Sequence, residues 1–111
     1  MELKNIEFES MCPNEETRTT VMYFTGPAEL LEMTGNEYPD AVMSTISIET
    51  TGIIFPEAEN ATVSISPTME DNEGLHDYDW SDIEISKKEV EYLINVALIN
   101  HYGIEPVAAA S

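Results

Sequence analysis

Between Thr19 and Ser86 the chain contains no lysine and no arginine, although the same stretch holds 14 acidic residues. Over all 111 residues, 22 Asp and Glu face four Lys and Arg, a formal net charge of −18. Small soluble domains usually carry a magnitude of about 2 to 8. So few cations argue against direct binding to nucleic acid or to an anionic membrane, because both depend on Lys and Arg to neutralise phosphate. The electrostatics favour a basic partner.

Cysteine is nearly absent too. A lone Cys12 rules out an internal disulfide framework and predicts a reducing, cytoplasmic home. The opening residues Met1, Glu2, Leu3, Lys4, Asn5 and Ile6 show neither a basic nor an apolar leader segment, so export is not expected. No apolar run is long enough to span a bilayer, so no membrane association is expected. Without export, the glycosylation triplet Asn60, Ala61, Thr62 has no consequence.

Catalytic motifs are equally scarce. There is no Gly-rich phosphate loop, no H-E-x-x-H, no C-x-x-C and no G-x-S-x-G, and the expectation is a protein that is not an enzyme and has no cofactor. An enzyme would need Cys12 to meet His76 or His101 in the fold. Asp77, Asp79 and Ser81 sit at the first, third and fifth positions of an EF-hand-like loop, but Asp82 replaces the required Gly and Lys88 the closing Glu. No metal site is therefore expected.

What is present is a foldable apolar pattern. Hydrophobic residues make up 42% of the chain, enough for one core and a single domain over 1–111. Ile6 and Phe8 alternate with Glu7 and Glu9, which predicts a first strand around 3–10. A turn over 12–16 and a β-branched second strand over 17–24 would complete a hairpin. Leu30, Leu31 and Met33 predict a short helix near 27–34, ended by Gly35. Val42, Ser44, Ile46 and Ile48 alternate as a third strand, which 52–55 would continue past a bend. Ala61, Val63 and Ile65 alternate as another, with Pro56 and Pro67 as punctuation.

The sharpest local signal lies near the C-terminus. Ser86 and Glu89 have capping-box spacing, and Ile85 and Val90 occupy the staple positions. A helix over about 87–102 follows, with Gly103 as its left-handed cap, Pro106 beyond it, and His101 in the last turn where a cation suits the helix dipole. Val90, Leu93, Ile94, Ala97 and Leu98 form its core stripe. Tyr92, Val96 and Ile99 widen the apolar surface, which either fills the concavity of a curved sheet or makes a homodimer interface. The fold class is α+β: an antiparallel sheet of four to five strands packed against a C-terminal helix.

The candidate site is the acidic segment 70–84. Glu70, Asp71, Glu73, Asp77, Asp79, Asp82 and Glu84 surround Tyr78 and Trp80, a charged rim around two rings suited to anchoring a partner. The plainer alternative is a solvated acidic loop with Trp80 tucked into the core. On the binding reading, replacing Asp77, Asp79 and Asp82 by Asn slows association and leaves the fold intact.

In size, acidity and lack of catalytic motifs, the chain resembles the small inhibitors of phages and mobile elements, the anti-CRISPR and anti-restriction proteins that imitate DNA. The resemblance is one of composition along the whole chain and carries no diagnostic motif. It implies a basic nucleic-acid-binding protein or nuclease as partner. An immunity protein or antitoxin against a basic nuclease has the same composition, and an oligomeric phage or host accessory protein is the third reading.

Overall fold

The computed structural model describes residues 6–52, 56–57, 59–77 and 79–103, with the side chain of residue 102 set aside. The elements run β1 (Glu7–Asn14), β2 (Thr19–Gly26), a 3-10 helix (Ala28–Thr34), β3 (Met43–Thr51), β4 (Thr62–Asp71), β5 (Gly74–Asp77), β6 (Ser81–Ile83) and α1 (Lys87–Tyr102). The protein is an α+β domain, as the sequence predicts. One antiparallel sheet has the order β1-β2-β3-β4-β5, with β6 also pairing with β4. No described helix is long and apolar enough to cross a membrane.

Alternation decides which face is buried. Phe8, Phe24, Ile46 and Ile65 share one cross-strand row, and Met11, Met22, Ile48 and Val63 the next. Phe24, Met22, Ile46, Ile48 and Ile65 are fully buried, and Phe8 meets Phe24 edge to face at 5.9 Å. Val90, Leu93, Ile94 and Ala97 close over this inner face, with Leu30 and Leu31 of the 3-10 helix beside them. Gly26 allows that helix to leave the sheet closely: a Cβ there would lie 2.7 Å from the Ile6 Cδ1 atom and 2.8 Å from that of Leu30.

The helix ends as its sequence dictates. Ser86 Oγ accepts the Glu89 amide at 3.2 Å, and Gly103, at φ 70°, donates its N–H to the Ile99 carbonyl. The capping box is only half formed, because Glu89 Oε2 is buried with no hydrogen-bond partner among the described residues. Gly35 likewise ends the 3-10 helix in the left-handed region at φ 79°.

Three strand boundaries differ from expectation. β1 runs on through Cys12 and Pro13 to Asn14, because an edge strand tolerates a residue that lacks an N–H. The turn falls later than 12–16, over 15–18, where Asn14 Oδ1 accepts the amides of Glu16 at 3.0 Å and Thr17 at 3.4 Å. β2 accordingly starts at Thr19, not 17, and extends to Gly26. β1 begins at Glu7; residues 3–5 of the expected first strand and 53–55 of the expected continuation lie outside the described residues.

Pro67 does not end its strand; it sits fully buried inside β4. The Thr68 carbonyl accepts the Val42 amide on the β3 side, so the backbone of Pro67 points toward β5 and β6. The partner edge is interrupted there. Between the pairs Thr68–Asp77 and Ile65–Ser81 the edge segment is one residue longer than β4, and the edge breaks into the short pieces β5 and β6. The opposite edge is blunted as well, by a bulge between Phe8 and Ser10 and by Pro13.

Candidate functional site

The second face of the sheet carries no described helix. By register its rows are Ser10, Tyr23, Ser47, Ser64, Asp82 and, alongside, Cys12, Val21, Glu49, Thr62. Small polar side chains dominate it. Glu7, Glu49, Glu70, Asp77 and Asp82 belong to the same face by strand alternation, and among the described residues no Lys or Arg does.

Trp80 crosses this face. β6 and β2 are separated by β4 and β3, roughly 14 Å at about 4.8 Å per strand. Yet the Trp80 and Tyr23 rings lie 6.5 Å apart, tilted at 58°. The two side chains therefore bridge the gap above the serines of β3 and β4, where larger residues would stand in the way. Trp80 remains 44% exposed, so it is not tucked into the core.

Three of the predicted aspartates are tied into the fold. Asp77 Oδ1 accepts hydroxyls from Thr68 at 2.6 Å and Thr45 at 2.9 Å, and both threonines are buried. Asp79 Oδ2 accepts the Tyr38 hydroxyl at 2.7 Å, and its amide donates to Ser66 Oγ at 3.3 Å. Asp82 Oδ1 accepts the Ser64 hydroxyl at 2.9 Å. Replacing these three thus changes stability and charge together. Asp77→Ala is expected to cost about 1–3 kcal/mol in urea unfolding, because it removes the carboxylate to which two buried hydroxyls donate and leaves them only each other, 2.8 Å apart, whereas Asp77→Asn keeps an acceptor and costs less. Equal losses for the two would remove that explanation.

The remaining acidic residues behave differently. Glu70, Glu73 and Glu84 are exposed, and their side chains make no hydrogen bond to any described residue. Asp71 organises the β4–β5 turn: its Oδ1 accepts the Glu73 amide at 2.7 Å and lies 3.1 Å from His76 Nε2. Those amide and imidazole contacts hold its carboxyl below the ordinary aspartate range, the Glu73 amide contributing most. A depressed folded-state value means that the ionised form supports the turn at pH values above the unfolded pKa, about 3.9. That support is lost as pH falls through the folded value. A carboxyl NMR titration should place the Asp71 midpoint under 3.9, with amide protection of β5 falling over the same range; a midpoint at or above the unfolded value would contradict the assignment. Tyr78 lies outside the described residues.

The predicted constellation is thus contiguous along the β4–β5–β6 edge but not single-faced. Asp71 and His76 project toward the inner side, while Asp77 and Asp82 project outward. Carboxylates also occur on the 3-10 helix at Glu29 and Glu32 and near α1 at Glu57, Glu59 and Glu91.

No protein family, curated protein or solved structure matches the chain. Any function has to be argued from this surface.

A groove was not foreseen from the sequence. It opens on the outer face, about 740 Å³, lined by Glu15, Glu16, Glu49, Val21, Tyr23 and Cys12 among others. The exposed Cys12 lies well apart in sequence from Glu49, and only the β1-β2-β3 register brings them together. Among the described residues no three His, Cys, Asp or Glu side chains converge as a metal site.

Of the helix residues considered for an oligomer, Val96 packs against the core. Tyr92, at 64% exposure, and Ile99 face outward.

Proposed function

We propose that this protein is a non-enzymatic acidic ligand that occupies the cationic groove of a nucleic-acid-binding protein or nuclease, in the manner of anti-CRISPR and other DNA-imitating inhibitors. The observation that carries this reading is the outer face and its β5–β6 edge, acidic and, among the described residues, without a Lys or Arg on any strand. The described cations stand off the strands, Arg18 in the β1–β2 turn at the Glu15 and Glu16 end of the groove, and Lys87 and Lys88 at the start of α1. A groove shaped for polyanionic DNA gains Coulomb attraction from such a surface, and the attraction is screened by salt. An immunity protein or antitoxin would use the same surface against a basic nuclease.

The test begins with capture of a partner from host extract at about 50 mM salt and its release near 200 mM. Displacement of a labelled DNA duplex from that partner is then followed by fluorescence polarisation. Loss of the duplex on adding the protein supports the reading; a partner that keeps its DNA defeats it. An oligomeric accessory role has one support of its own, the outward-facing pair Tyr92 and Ile99, two turns apart on α1. Sedimentation would reveal a dimer that Tyr92→Glu abolishes.

A further inference from the structure

We infer that the outer-face groove is a subsite for an arginine side chain of the basic partner, which deepens the proposed function and rests on it. Three observations converge on that chemistry. The groove is lined by Glu15, Glu16 and Glu49 and by no Lys or Arg. One wall is Tyr23, whose ring is backed by Trp80 at 6.5 Å. The floor is a sheet face on which no described helix packs.

A guanidinium satisfies both features at once. Its planar face stacks on an aromatic ring, while its N–H groups bond carboxylate oxygens in a fork. An ammonium offers charge but stacks less well, so the site should prefer arginine over lysine. Glu49 is the central carboxylate. It stands on β3 between Val21 of β2 and Thr62 of β4, one pleat from the Ser47 that faces Tyr23. It is exposed and makes no side-chain hydrogen bond to a described residue, so its charge is not committed to the fold.

The molecule supplies two native reporters. Cys12, the single thiol, lines the groove, and Trp80, the single indole, backs its wall. The probe is a blocked tetra-arginine peptide, with tetra-lysine for comparison, added to the full chain in low salt. Binding is followed by calorimetry, Cys12 alkylation by iodoacetamide and Trp80 fluorescence.

Saturating tetra-arginine is expected to slow Cys12 alkylation and shift the Trp80 emission, and to bind about threefold more tightly than tetra-lysine. Glu49→Gln should weaken tetra-arginine by about fivefold, and the paired Glu29→Gln and Glu32→Gln change on the 3-10 helix by less than about twofold. Thermal melting verifies that both variants are folded. Peptide that binds while Cys12 and Trp80 are unaffected, or equal weakening by the two variants, overturns the subsite and leaves the acidic-ligand reading standing. No calorimetric binding of either peptide would overturn both.

Discussion

Reversing Glu70, Glu73 and Glu84 to lysine is expected to slow association with a cationic partner by about 10- to 100-fold at low salt. Three reversals, each worth two charges, take the formal net charge from −18 to −12. More importantly, they plant cations along the edge that otherwise has none. The three side chains are exposed and make no hydrogen bonds to described residues, so melting behaviour should hardly change. Stopped-flow association rates across a salt series give the answer. The variant should show a flatter slope that converges on the parent at high salt, where the Debye length shrinks to about 3 Å at 1 M. Identical rates at every salt concentration would mean that this edge does not steer the encounter. This trio separates charge from architecture better than Asp77, Asp79 and Asp82, whose carboxylates hold Thr45, Thr68, Tyr38 and Ser64.

The second large effect concerns the core. Phe24→Ala should cost about 3–5 kcal/mol, because the ring is fully buried between Phe8 and Ile46 on neighbouring strands. Against a total stability of about 5–15 kcal/mol this is a large share. Mutual repulsion among 22 acidic side chains also opposes compaction, so the variant should unfold in low salt and partly recover when salt screens that repulsion. Urea titrations at two ionic strengths measure both effects. A midpoint shift no larger than that of a surface substitution would show that the row through Phe8, Phe24, Ile46 and Ile65 is not the centre of the core.

How legible these features were depends on whether local chemistry or long-range register decides them. The helix from Lys87 was readable because Ser86 and Gly103 carry their capping chemistry within a few residues of the backbone groups they satisfy. The inner faces of β3 and β4 were readable because Ile46, Ile48, Val63 and Ile65 alternate strictly. β5 and β6 were not. Asp77 and Asp82 disfavour strands, yet they pair with β4, where their side chains find the hydroxyls of Thr68 and Ser64. Pro67 misled for a related reason: its missing N–H points at an edge already interrupted, so it costs the sheet little. The segment 70–84 was recognisable as acidic, but its split between two faces follows from pairing with β4. The groove joining Cys12, Tyr23 and Glu49 had no sequence signal, because three strands must align before those residues meet.

The blunted borders of the sheet restrict how anything else can engage this molecule. One border carries a bulge and Pro13; the other is cut into pieces of four and three residues. Neither offers the unbroken ladder of free amides and carbonyls that an incoming strand would need, so main-chain addition is closed as a mode of recognition. A visitor must read side chains instead. Affinity then resides in groups that can be exchanged singly without unravelling the backbone, which leaves specificity open to change by point substitution while the scaffold stays the same.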